Sequence, residues 1–112
     1  MTNITDEFMM EMIPKAKNYC AVILRKGPNF QNPGVEKIIW EHGRRNFALR
    51  EQRLLCIVCS VRDGTDVCGI GIFNANVEET KKIIDEDPGV KASVFIYDLH
   101  GCRGFPGDSL AV

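Results

Sequence analysis

Leu54-Leu55-Cys56-Ile57-Val58-Cys59-Ser60-Val61, Arg62-Asp63-Gly64-Thr65-Asp66 and Val67-Cys68-Gly69-Ile70-Gly71-Ile72-Phe73-Asn74 together set the architecture. Two runs rich in β-branched and aromatic residues flank a polar segment. Asp63-Gly64 is the local turn signal, so the stretch predicts a hairpin of strands 54–61 and 67–74. Successive strand residues point to opposite faces. Leu54, Cys56 and Val58 are expected on one face, with Leu55, Ile57, Cys59 and Val61 on the other. Both faces are apolar.

Helical patterns flank the hairpin. Upstream, residues 34–52 repeat apolar side chains at helical spacing. Before them, Gly27 to Gly34 reads as a loop on composition. A strand is expected over 18–26, with Cys20, Val22 and Leu24 on one face. Downstream, Asn76 is a good helix cap, and Glu78 and Glu79 suit the positive end of a helix dipole. Asp87-Pro88-Gly89 reads as a stop, and residues 91–100 as the last strand. Ahead of all this, 4–13 predicts a short helix capped by Thr5 or Asp6.

The order after the leading helix is β-α-β-β-α-β, the ferredoxin-like arrangement of the α+β class. It predicts a four-stranded antiparallel sheet with two helices on one face. The last strand is also apolar on both faces, with Val94 and Ile96 against Phe95, Tyr97 and Leu99. The uncovered face therefore needs a partner. A second copy packed sheet against sheet is expected, the leading helix taking a share of the cover. The boundaries are one domain over 1–112, comprising a helical extension over 1–16, a core over 17–103 and a tail over 104–112.

The chain has 112 residues, 45% of them hydrophobic and 26% charged, as for one globular domain. With 14 basic and 15 acidic residues the net charge is −1, which argues against nucleic acid as a partner. No apolar run is long enough for a bilayer, and the N-terminus lacks a basic start and an apolar core. The expectation is a cytoplasmic protein that spans no membrane. Five cysteines without a leader argue against a disulfide framework. Cys56 and Cys59 stand three apart on a strand, on opposite faces, so both sulfurs cannot easily reach one metal. They read as buried small hydrophobes.

His42 is the residue most suggestive of chemistry. On a helix advancing about 100° per residue, Val35, Ile38, Ile39 and Leu49 form one stripe. His42 lies in its middle and Asn46 one turn on. Lys37, Glu41, Arg44 and Glu51 take the other side. A buried polar group without a partner costs roughly 1–3 kcal/mol, so these two must be satisfied or used. An imidazole titrates near neutrality, which suits proton transfer. Asn46 is placed to orient the ring or hold a ligand oxygen.

Three stretches carry a family resemblance. His42 followed eleven residues on by Arg53-Leu54-Leu55, the helix start Val77-Glu78-Glu79-Thr80, and Asp85-Glu86-Asp87-Pro88-Gly89-Val90-Lys91-Ala92-Ser93-Val94-Phe95 resemble the YCII-related family. That family is a branch of the dimeric α/β-barrel superfamily. The likeness covers about residues 18–103. Gln52 stands where the family usually has Gly, and Ser60-Val61 where it has Gly-Pro. The resemblance implies a homodimer with a pocket near the helical histidine, and a His42/Asp87 acid–base pair. From the residues alone, Asp87 before Pro88 is ordinary turn chemistry.

Further candidates for ligand binding are Asp98 and His100, which share a face at the polar end of the last strand. Arg25 and Arg45 are possible anion anchors, since guanidinium grips carboxylate bidentately. Trp40 and Phe47 on the long helix read as packing. No Gly-rich phosphate loop, GxSxG elbow or zinc spacing occurs, so neither cofactor nor metal is expected. The functional expectation is a small-molecule site using His42 as acid or base; the rival is a non-catalytic ligand-binding or structural homodimer.

Overall fold

The computed structural model describes residues 2–112; Met1 lies outside the described residues. The order is α1 (Asp6–Met12), a 3₁₀ turn (Ile13–Lys15), β1 (Lys17–Lys26), α2 (Val35–Glu51), β2 (Leu55–Ser60), β3 (Val67–Phe73), α3 (Val77–Asp85), α4 (Pro88–Lys91) and β4 (Phe95–Gly104). The sheet order is β2-β3-β1-β4, and every neighbouring pair is antiparallel. The fold is ferredoxin-like α+β.

Local chemistry explains the elements. Thr5 Oγ1 accepts from Phe8 N at 3.1 Å and starts α1. Asn76 and Glu79 form a reciprocal capping box at α3, with bonds of 2.7 and 3.1 Å. Cys20, Val22 and Leu24 of β1 are buried with Leu55, Phe73 and Phe95 of the other strands. Leu49 of α2 and Ile84 of α3 close over them. Burying each large apolar side chain contributes roughly 1.5–3 kcal/mol, so this layer holds α2 and α3 to one sheet face.

The structure departs from the sequence reading in four ways. First, the last strand starts at Phe95 instead of residue 91 and runs to Gly104, past the expected end at 100 and into the first residue of the tail. Residues 88–91 instead form the short helix α4, because Pro88 suits a helix's first position and Asp87 caps it. Val94 accordingly precedes the strand and is buried in the core.

Second, β2 breaks strict alternation. Leu55 pairs with Phe73 and Val58 with Gly71, both helix-facing partners, so Cys56 is the extra residue of a bulge. Leu55 and Val58 thus share a face. Third, only Cys20 among the cysteines is buried; Cys56 and Cys59 are exposed. β2 is an edge strand, and the sheet face carrying Cys59 is open in the protomer. Fourth, α1 buries no residue, so it does not supply the expected cover. Ile70 and Ile96 on the open face remain 42% and 49% exposed. Trp40 and Phe47 are exposed too, so neither is packed in the protomer as expected, and Phe47 lies at the margin of the cleft beside α2.

Candidate functional site

α2 delivers His42 to the sheet side, where its ring centroid lies 4.8 Å from that of Phe95. Asp87 comes from the junction of α3 and α4. Its Oδ1 stands 2.8 Å from His42 Nδ1. A carboxylate only accepts, so Nδ1 donates and Nε2 carries the lone pair. Asn46 Nδ2 donates to that Nε2 at 3.3 Å. Side chains four apart on a helix are neighbours, which is why the His42–Asn46 pair forms.

Asp87 is held from several directions. Its Oδ2 accepts from Gly89 N at 2.9 Å and Val90 N at 3.2 Å, capping α4. Gly89 is required here, because a Cβ would meet the Phe95 ring at 2.5 Å and Asp87 Oδ2 at 3.0 Å. Arg45 Nη1 lies 4.0 Å from Asp87 Oδ1, buried and without a hydrogen-bond partner. Asp87 is 2% exposed and the His42 side chain 16%. The acceptor is thus sealed and the ring open at one side.

That open side faces a cleft of about 760 Å³ between α2 and the sheet. Val22, Leu24, Phe30, Phe73 and Phe95 give it an apolar floor, and His42 and Asn46 line it. Ser60 and Val61 are also in its wall. The volume falls within the usual range for small-molecule sites, roughly 300–1,000 Å³. A lone-pair nitrogen backed by a buried carboxylate and opening on an apolar cleft is equipped to move protons: the carboxylate fixes the tautomer and stabilises an imidazolium.

The sequence candidates divide between the two sheet faces. His42, Asp87 and Asn46 meet, and Arg45 stands behind Asp87 rather than in the cleft wall. Arg25, Asp98 and His100 lie on the opposite face of the sheet. Arg25 is committed to ion pairs with Asp98 at 2.8 Å and Asp66 at 3.2 Å. The bond to Asp98, more than its charge and that of Asp66, raises the Arg25 pKa. His100 pairs with Ala21 in the ladder, one of the outward positions of β1. Strand parity produces the split: Phe95, Tyr97 and Leu99 face the helices, so Asp98 and His100 cannot.

Lys26, Arg50 and Arg62 line the cleft and were missed. Two of them had a signal. Lys26 continues the Cys20-Val22-Leu24 parity, and Arg50 continues the His42-Asn46 spacing by one turn. Arg62, in the turn after β2, had none. Cys68, at a bulge in β3, also lines the cleft, and burial pushes its thiol pKa up. Outside the cleft, Tyr97 Oη donates to Asp85 Oδ1 at 2.5 Å and Lys81 pairs with Asp85 at 2.6 Å. These bonds, Lys81 first, hold the Asp85 carboxyl below its ordinary value. Burial first, then Asp85, raises the Tyr97 hydroxyl. Among the described residues no cluster of three or more His, Cys, Asp or Glu could hold a metal ion, and no helix is long and apolar enough to cross a membrane.

No family model matches the chain, and no curated protein matches it. Among solved structures, the chain is similar to 5-chloro-2-hydroxyhydroquinone dehydrochlorinase from Burkholderia phenoliruptrix AC1100, in complex with 2,5-dihydroxybenzoquinone. The identity is 20% and the TM-score 0.48, over 72% of this chain and 90% of that one.

Proposed function

We propose that this chain is a YCII-like protein of the dimeric α/β-barrel superfamily, an acid–base enzyme acting on a small molecule in the cleft beside His42. One observation carries the reading: His42 Nε2 borders the cleft while Asp87, nearly sealed from solvent, sits 2.8 Å from Nδ1. In the reaction, Nε2 takes a proton from a substrate C–H or O–H. The resulting imidazolium is stabilised by the Asp87 carboxylate. The same proton then returns at another atom, or passes to a leaving group, so the residues end as they began. Asn46, freed from Nε2 as substrate enters, donates to the oxygen where negative charge gathers. Isomerase, lyase and hydrolase chemistry all use such a step.

The working unit is a cytoplasmic homodimer closed through the outer sheet faces. The exposed Ile70 and Ile96 support this, as aliphatic residues in a face that no element of the protomer covers. The roles drawn for Arg25, Asp98 and His100 belong to this second face; ligand binding by them would require the partner to complete a site there.

A non-catalytic binding protein is the rival, and the Asn46 bond to Nε2 favours it, since it leaves both ring nitrogens satisfied. A thermal-shift screen of small organic compounds on wild type and His42→Gln separates the two. The enzyme reading expects ligands that stabilise wild type more than the variant. It also expects wild type alone to exchange a ligand C–H for deuterium in D₂O. Ligands that stabilise both proteins equally would remove His42 from the site.

A further inference from the structure

The charged side chains that line the cleft are all of one sign. Lys26, Arg50 and Arg62 are the charged residues of its lining, and no Asp or Glu shares the wall with them. None of the three forms an ion pair among the described residues. The acids of the adjacent hairpin turn are occupied elsewhere. Asp63 accepts from Thr65 N at 3.1 Å and Thr65 Oγ1 at 2.7 Å. Asp66 pairs with Arg25, which belongs to the opposite sheet face.

Two of the cations share one end of the cleft. Lys26 closes β1, and Arg62 follows β2 just beyond the rung where Ser60, Gly69 and Leu24 align. From that end a row of rings leads to the histidine. Lys26 Nζ stands 5.2 Å from the Phe30 centroid, Phe30 is 6.1 Å from Phe95, and Phe95 is 4.8 Å from His42. An apolar wall of tilted rings, 54° between Phe30 and Phe95 and 50° between Phe95 and His42, thus joins free positive charge to the proton-transfer nitrogen. A planar skeleton packs face-on against one such ring and edge-on against the next, and an acidic group satisfies the cations.

We infer that the cleft binds a small conjugated carboxylate, its charged end held by Lys26 and Arg62 and its planar skeleton packed against the tilted rings of Phe30 and Phe95. The inference rests on the acid–base reading of the same cleft and adds the class of its substrate. A carboxylate fixed at this end presents its skeleton, not its charge, to His42 Nε2. It also conjugates with the carbon that loses the proton, so charge arising there delocalises towards the cations and Asn46.

Matched pairs test this directly: benzoate with benzamide, cinnamate with cinnamamide, sorbate with sorbamide, titrated at constant ionic strength while the backbone amides are followed by NMR. At least one acid is expected to shift Gly43, Gly69 and Phe95 with a Kd fivefold or more below that of its amide. Lys26→Met combined with Arg62→Gln should bring the pair within twofold, leaving the amide's own affinity unchanged. Lys37→Met, on the outer side of α2, should preserve the fivefold gap. The inference is overturned if amides bind as tightly as acids, or if no acid shifts the cleft resonances. Amides binding in the cleft as well as acids would leave the acid–base site standing without its anion preference. Acids that bind as expected but show no His42-dependent deuterium exchange would overturn the enzyme reading alone.

Discussion

Replacing Asp87 probes the join between the fold and the site. Asp87→Ala removes the acceptor of His42 Nδ1 and both cap bonds to Gly89 N and Val90 N. Losing a helix cap costs about 1 kcal/mol, and losing a buried bond to a carboxylate about 1.5–3 kcal/mol. Arg45 Nη1, already without a hydrogen-bond partner, also loses its nearest carboxylate. The expected loss is therefore about 3 kcal/mol, or roughly 10–20 °C in Tm for a domain near this size. Asp87→Asn keeps a cap oxygen and the volume but not the charge, so it should lose about half as much. Urea unfolding at pH 7, followed by far-UV circular dichroism, gives both values. Nitrogen-15 NMR of the imidazole adds a check independent of stability: wild type should carry its proton on Nδ1. The reasoning fails if the alanine variant loses less than about 0.5 kcal/mol, a value typical of an unremarkable surface change. It fails equally if wild-type His42 is the Nε2–H tautomer.

Other perturbations test neighbouring parts of the structure. Gly89→Ala forces a Cβ to within 2.5 Å of the Phe95 ring and should cost about 1–3 kcal/mol by overpacking, read as a lower urea midpoint. Ile70→Lys, on the open sheet face, should convert a dimer to a monomer in analytical ultracentrifugation while leaving the circular dichroism unchanged; a wild type that is monomeric at millimolar concentration would sink the sheet-to-sheet dimer. Thiol titration of the monomeric Ile70→Lys variant should modify the exposed Cys56 and Cys59 first, then Cys68, whose thiol is raised by burial, and the fully buried Cys20 last. The Asp85 carboxyl is held low by Lys81 and Tyr97, so its ion favours the folded state above the unfolded pKa. That contribution disappears as pH falls below about 4 and through the folded value. Asp85→Asn should therefore flatten the acid limb of the stability profile, and an unchanged slope would contradict the assignment.

Particular residues show how far the amino-acid pattern reached. The β-α-β-β-α-β order followed from local signals: the Asp63-Gly64 turn, the Asn76 cap and the helical stripe around His42. Those signals are short-ranged, and the structure keeps them. The last strand was set four residues early because Pro88 was read as a stop, although proline also opens helices. The Cys56 bulge was invisible, since an extra residue in a strand leaves the composition unchanged. At the site, the helical wheel put His42 and Asn46 side by side. The meeting with Asp87, 45 residues on, depends on how α2 lies against α4, which periodicity does not encode. Asp98 and His100 were grouped together correctly, but strand parity then carried both to the far side of the sheet.

Cys56 gives the second strand a tolerance in length rather than in composition. Leu55 stays on the core side whether or not the extra residue is present, because its partner is Phe73. The residues after Cys56 do not depend on it, because the bulge absorbs it. Loss of that single codon would join Leu55 to Ile57, still opposite Ile72, and keep Val58 opposite Gly71. Plain alternation would return with Val58 still in the cleft wall and Cys59 still in the outer face. The cavity lining and the surface offered to a second copy would both survive a change of length, with no amino acid substituted.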